Sequence, residues 1–207
     1  MQTIDHFMFG AKQLPPLAEA FALKTGMVAE TGGKHRLFGT HNQLIGGGSS
    51  PYLELIAIDE SSDAQSALRH ELQALEQPTL HRFIMRSTLA NFDALKAAYA
   101  VAGIESDVVP LSRESQSGEM LHWHLLIPRP NALGVLAPYF IDWGDAQHPS
   151  ERLAEQFSLV ACQAGHPEPV VVQTLWDALG VNVPVSHAKQ PELNITIQSA
   201  KGVFQLP

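Results

Sequence analysis

The sequence predicts an α+β fold. Tandem βαβββ units should form a half-open curled mixed sheet, with a third βαβββ-like unit at the C-terminus. Three observations predict it. Helix-ending glycines recur at Gly26, Gly103 and Gly180, equally spaced by 77 residues. Each closes a helical stretch that follows a short apolar run, and each precedes an aliphatic residue (Met27, Ile104, Val181), as where a left-handed residue stops a helix before a strand. Beyond each glycine the hydrophobic pattern changes to period two, the signature of half-buried strands.

In the first copy, IDHFMFG opens as a strand and LPPLAEAFALKTG follows as a helix. Pro15 and Pro16 lie in its first turn, where the missing N–H costs little. Strands are then expected at Met27–Glu30, Thr40–Ile45 and Tyr52–Ile58, with GGGSS as a turn. The second copy runs HRFIMRS, NFDALKAAYAVAG, and strands at Asp107–Leu111, Met120–Ile127 and Pro138–Trp143. The third runs FSLVACQAG, PEPVVVQTLWDALG, and strands at Val181–Ser186, Leu193–Gln198 and Gly202–Leu206. The polar stretch Asp59–Gln77 reads as an exposed linker helix, and Gln147–Gln156 as a second connector. The implied organisation is unit one over 1–58, linker helix over 59–77, unit two over 78–146, and the extension over 147–207.

Composition narrows the function classes. The 207 residues are 45% hydrophobic and 16% charged, which suits a packed domain and not a disordered chain. A net charge of −8 disfavours a phosphate backbone as partner. No apolar run approaches the ~18 residues of a membrane span. The lone Cys162 rules out an internal disulfide, and the N-terminus lacks a basic, greasy leader. A cytoplasmic protein acting on a small molecule, with no nucleic acid and no membrane, is the expectation. No Gly-x-Ser-x-Gly appears and Cys162 has no adjacent base, so the signals of covalent catalysis are missing. The glycine-rich Gly32–Asn42 segment is neither a phosphate-binding nor a dinucleotide-binding loop.

Several residues carry a more specific likeness. They are Ile4-Asp5-His6, the stretch GGKHRLFGTHNQLIG, Tyr52-Leu53-Glu54-Leu55-Ile56, Arg113 with Gly118 and Trp123, and Pro138 through Gly144 with Asp142 and Trp143. In these motifs the chain resembles the bacterial glyoxalase-like domain proteins of the vicinal oxygen chelate superfamily, the glyoxalase, bleomycin-resistance and dioxygenase group. The resemblance spans residues 4 to 144, and the third unit is similar to the C-terminal extension such proteins carry.

That resemblance implies metal ligands from the first and last strands of each unit. His6 and Glu54 occupy such positions in unit one, and an imidazole with a carboxylate is half a site for Zn²⁺, Ni²⁺, Mn²⁺ or Fe²⁺. In unit two the 77-residue offset from His6 falls on Phe83, which ligates nothing. Matching Tyr-Leu-Glu-Leu to Phe-Ile-Asp-Trp puts Asp142 opposite Glu54. The expected metal set is therefore His6, Glu54 and Asp142. Glu54, Asp142 and His35 are the candidates for proton transfer. Asn42, Arg113, Trp123, Tyr52 and Arg86 are the candidates for binding substrate. Arg86 in an apolar strand also suggests pairing with Asp142, and Trp143, Trp123, Tyr52 and Phe140 an aromatic wall. His122 and His124 flank Trp123 and should point away from the cup that holds it.

The implied activity is a lyase, isomerase or dioxygenase of glyoxalase type, with a divalent metal chelating vicinal oxygens of the substrate. The alternative is a metal-free binder of the same fold that sequesters a small molecule. A homodimer whose cups are filled by their own side chains is a third reading.

Overall fold

The computed structural model describes residues 2–48, 51–114 and 120–207, and for 113 and 114 the backbone only. The first unit contains β1 (Thr3–Gly10), α1 (Leu14–Thr25), β2 (Glu30–His35), β3 (Thr40–Ile45) and β4 (Tyr52–Ile58). Helix α2 (Ala67–Ala74) follows. The second unit contains β5 (Thr79–Arg86), α3 (Phe92–Val101), β6 (Ser106–Glu114), β7 (Met120–Pro128) and β8 (Tyr139–Asp142). The third contains β9 (Phe157–His166), α4 (Pro169–Leu179), β10 (Val185–His187), β11 (Glu192–Ser199) and β12 (Gly202–Leu206). The expected helices form where the glycines stop them: Gly26, Gly103 and Gly180 all hold positive φ.

The first two units share one eight-stranded curled sheet, in the order β2-β3-β4-β1-β5-β8-β7-β6. Each half repeats the same internal order, and the halves join where β1 pairs antiparallel with β5. The third unit keeps the chain order βαβββ but not the pairing. Its four-stranded sheet runs β10-β9-β11-β12, so its first strand lies between its second and third. Two connections differ from expectation. The glycine pair 32–33 lies inside β2 at a register shift, and the Gln147–Gln156 connector forms only a short 3-10 turn at Pro149–Glu151.

Strand alternation assigns the two faces of the large sheet. Phe7, Phe9, Leu53, Leu55, Phe83, Met85 and Phe140 point to the convex side. There they join Phe21 of α1, Tyr99 of α3, Trp176 of α4 and Ile195 and Ile197 of the small sheet in one core. Trp176 packs edge-on to Phe83 and donates its indole N–H to the Leu136 carbonyl at 2.8 Å. The third unit is thus a backing layer to the large sheet, and Phe140 belongs to this core instead of an aromatic wall in the cup.

The concave side is not open. The linker helix, expected to be exposed, docks there. Leu68 and Leu72, four residues apart on one helix face, pack with Met8, Ile56, Ile84, Trp123 and Ile141. Burying a leucine contributes roughly 1.5–3 kcal/mol, which offsets the marginal stability of so short a helix. Polar ties fix the orientation. Ser66 caps α2 by accepting from the Arg69 amide and donates to the Phe38 carbonyl. Arg69 Nη1 donates to the Gly39 and Asp59 carbonyls, and Glu71 accepts from His81 and Arg82 on β5.

Gly10 makes the docking sterically feasible, because a Cβ there would lie 2.6 Å from Leu72 Cδ2 and 3.3 Å from Leu75 Cδ1. Gly10→Ala is expected to destabilise the protein by about 1–3 kcal/mol through this overpacking. Denaturant unfolding reads the cost, and Leu72→Ala in the same chain should recover part of it. An unchanged midpoint for Gly10→Ala would show that α2 yields without resistance.

Candidate functional site

The cup encloses a cavity of about 140 Å³ between the concave face and α2. An engineered apolar cavity of ~150 Å³ accepts benzene, so the space suits a compact organic molecule. Its charged and amide groups all come from unit one, where His6, His35, Asn42 and Glu54 stand beside Met8, Phe38, Leu44, Tyr52 and Ile56, whereas unit two contributes Ile84, Leu111, Trp123, Leu125, Ile127, Tyr139, Ile141 and Trp143.

His6 on β1 and Glu54 on β4 meet on the cup floor, with His6 Nε2 3.4 Å from Glu54 Oε2. Both are almost fully buried. Asn42, from β3, donates Nδ2–H to Glu54 Oε1 at 2.5 Å, and its own Oδ1 accepts from the Gly33 amide at 2.7 Å. A Cβ on Gly32 would strike that carboxamide, which explains a glycine at this position inside a strand. His35 Nδ1 contacts Thr40 Oγ1 at 3.1 Å, and its Nε2 stands 3.8 Å from Glu54 Oε1. The His6 ring stacks on Tyr52, with centroids 4.5 Å apart.

Behind His6 lies a group the sequence reading left out of the site. Asp5 Oδ1 accepts from His6 Nδ1 at 2.8 Å. Asp5 Oδ2 accepts from Arg86 Nε at 3.0 Å, His148 Nε2 at 3.0 Å and Trp143 Nε1 at 3.2 Å. His148 presents Nε2–H because its Nδ1 accepts the Ser150 backbone N–H. Four donors therefore fix one buried carboxylate, and that carboxylate fixes the imidazole. The available signal was an aspartate beside a histidine in an otherwise apolar strand. His148 lies 143 residues from Asp5 and gave no local signal.

These contacts set the charges. Burial would lower the His6 pKa, but hydrogen bonds to Asp5 and Glu54, with their charges, raise it to about 9. Burial would raise that of Glu54, but the His6 hydrogen bond, the charges of His35 and His6, and the Asn42 amide lower it to about 2. Burial works the same way on Asp5, where hydrogen bonds from His148 and His6 hold the carboxyl well below the usual range. The floor is thus an imidazolium between two carboxylates.

Stability should follow. A histidine raised from 6.5 to about 9 contributes fully below pH 6.5 and loses that contribution as pH rises through 9. A carboxyl lowered from 4.5 to about 2 contributes fully above pH 4.5 and loses it as pH falls through 2. Denaturation midpoints are therefore expected to decline from pH 6.5 to 9, and His6→Gln should flatten that decline. An equally steep decline in the variant would assign it elsewhere.

Asp142 does not join the pair. It leaves β8 on the opposite face from Ile141 and Trp143 and accepts from the backbone amides of Leu89 and Gly144. The structural counterparts of His6 and Glu54 are Ile84 and Ile141. His6 pairs with Ile84 across the β1–β5 seam, and their parallel neighbours are Tyr52 and Tyr139 respectively. The sequence matches to Phe83 and Asp142 were each off by one residue, which on a strand reverses the face.

Arg86 likewise lies outside the cup lining and pairs with Asp5, not Asp142. Trp123, Tyr52 and Trp143 line the cup, while His122 and His124 do not. Arg113 lies in β6, opposite Leu121, and its side chain is outside the described residues.

The donors present do not fit a resident divalent ion. His6 and Glu54 face each other, isoleucines occupy the two counterpart positions, and the Asn42 amide contacts both Glu54 and His35 Nε2. Among the described residues, no group of three or more His, Cys, Asp or Glu is placed to hold a metal. Zn²⁺, Ni²⁺, Mn²⁺ and Fe²⁺ are accordingly expected to leave the melting temperature unchanged. A rise of several degrees that disappears in His6→Ala would place an ion on the floor after all.

The curled sheet of paired βαβββ halves, with a polar floor in its cup, defines the vicinal oxygen chelate class. Within it, a family model for the glyoxalase-like domain matches residues 4–180, and the chain belongs to that family. The match runs beyond unit two, through α4 of the backing layer.

Among solved structures, a protein of Staphylococcus aureus described as hypothetical aligns with a TM-score of 0.71 at 13% identity, covering 100% of this chain and 99% of that one. Methylmalonyl-CoA epimerase of Streptomyces coelicolor, solved with 2-nitronate-propionyl-CoA, aligns at 0.46 and 16% identity over 72% of this chain and 100% of its own. The Mn(II)-bound glyoxalase of Novosphingobium aromaticivorans aligns at 0.44 and 13% identity over 87% and 54%. No curated protein matches. Among the described residues no helix is long and apolar enough to cross a membrane.

Proposed function

We propose that the chain is a glyoxalase-type isomerase or lyase that transfers a proton at carbon next to a carbonyl of a compact, largely apolar molecule, without a resident metal. The observation that carries this reading is the His6–Glu54 pair, an acid and a base buried 3.4 Å apart on the floor of an apolar cavity.

Their separation is longer than a good N–H···O bond, so the His6 Nε2–H is weakly held and a ligand oxygen reaching it from the cavity competes for it. His6 then stabilises negative charge developing on that oxygen. Asp5 holds the ring without needing to accept the proton. Glu54 Oε2 accepts the proton from carbon, while Asn42 keeps Oε1 occupied. The resting carboxylate is a weak base because His6 holds it. A ligand that takes the His6 N–H removes that restraint, and burial then raises the basicity of Glu54. Uptake of the ligand and activation of the base are one event. His35, next to Glu54, is placed to exchange the abstracted proton, and Tyr52 and Trp123 wall the ligand.

The test is deuterium incorporation from D₂O at the α-carbon of small ketones and 2-hydroxyketones, followed by proton NMR. Incorporation that requires Glu54 is the expected result. Ligands that bind in the cup with no enzyme-dependent incorporation across the panel would replace this reading with sequestration, which the apolar lining favours as the second reading.

A further inference from the structure

We infer that α2 sets the size of the ligand, with Leu68 as the specificity-determining residue, and that the site takes single-ring and not fused-ring ketones. The inference rests on the ketone reading above and adds which members of that class enter.

The half-open sheet by itself would present a broad concave surface. Here Leu68 and Leu72 project into that surface and pack on strands of both units, from Met8 and Ile56 on one side to Ile84, Trp123 and Ile141 on the other. What remains beneath is about 140 Å³, and Leu68 is one of its walls. Leu72 is fully buried against the space left by Gly10, so it anchors the helix, whereas Leu68 is the α2 leucine that borders the cavity.

The wall is held firmly. The Ser66 hydroxyl, the two carbonyl contacts of Arg69 and the contacts of Glu71 with His81 and Arg82 tie the helix at the β2–β3 turn, at Asp59 just after β4, and at β5. A wall tied to three separate parts of the sheet rejects a larger ligand instead of deforming around it, because packed interiors resist small changes of volume. A fused second ring directed at α2 meets the Leu68 side chain.

The experiment titrates wild type, Leu68→Ala and Leu68→Phe with acetophenone and with 2-acetonaphthone. It follows the methyl NMR signals of Met8, Ile84 and Ile141, and each variant is first checked for a cooperative melt. In wild type, acetophenone should bind at least ten-fold more tightly than 2-acetonaphthone. Leu68→Ala should bring the two within three-fold, and Leu68→Phe should weaken acetophenone at least ten-fold.

Equal binding of the two ketones by wild type overturns the inference. So does a wild-type preference that survives Leu68→Ala, or acetophenone binding unaffected in Leu68→Phe. If Leu68→Ala does not fold, the wild-type comparison and Leu68→Phe decide between the same outcomes. Absence of any methyl shift from either ketone in all three proteins is a different failure, since it removes the ketone site itself. Deuterium incorporation tests the chemistry separately from these binding measurements.

Discussion

Glu54→Gln is expected to lower deuterium incorporation by roughly 10²–10⁴-fold, the usual contribution of a positioned general base. The change preserves shape, and the side-chain oxygen still accepts from Asn42 while the new NH₂ turns toward His6. What it removes is the capacity to accept a proton. Binding of acetophenone should therefore change little, so the loss appears in turnover and not in affinity. His6 should meanwhile titrate closer to its ordinary value, because one of the two carboxylates that raise it is gone. A variant that keeps full incorporation would remove Glu54 from the chemistry. A variant that loses binding in parallel would make it a recognition group instead.

Asp5→Asn is expected to have the largest effect on stability. Its carboxylate has no exposed surface and accepts from His6, Arg86, Trp143 and His148. An asparagine offers one acceptor oxygen and turns an NH₂ toward donors. Breaking a buried charge pair from one side costs about 3–5 kcal/mol, which for a chain of this size is a drop of roughly 6–20 °C in melting temperature. Arg86→Gln is the contrasting variant. Its side chain is half exposed, and the cost should stay within about 1 kcal/mol. Thermal melts compare the two directly, and similar losses would mean that Asp5 matters only as a partner of Arg86. In Asp5→Asn the NMR titration of His6 should also move down, which a purely structural loss would not require.

Much of the fold was legible because its signals are local. A helix stopped by glycine and followed by period two can be read within twenty residues, and three copies in register reinforce one another. His6 and Glu54 were legible for a related reason, as polar residues in apolar strands. What was lost depended on exact register or on distance. The alignment of Glu54 with Asp142 was wrong by one residue, enough to exchange the cup for the opposite face. Apart from the adjacent His6, the partners of Asp5 come from β5 and from the connector after β8, and no spacing rule joins His148 to Asp5. The docking of α2 was half legible. Leu68 and Leu72 form a four-residue apolar spacing in a polar stretch, but the surface that receives them comes from strands of both units. The pairing order of the third unit was not legible, since period two shows that strands exist and not which neighbours they choose.

The unequal halves of the cup have a further consequence. The groups that carry charge come from the first βαβββ unit, together with part of the apolar wall, while the second unit contributes only apolar and aromatic side chains. Exchanging one apolar side chain for another at Ile84, Leu125, Ile127 or Ile141 reshapes the chamber without introducing a charge beside His6 or Glu54. Ligand preference in such a molecule is free to drift while its reactive chemistry stays constant. Relatives with the same floor and differently sized opposite walls would then form a series of proteins sharing one reaction and dividing its substrates among them.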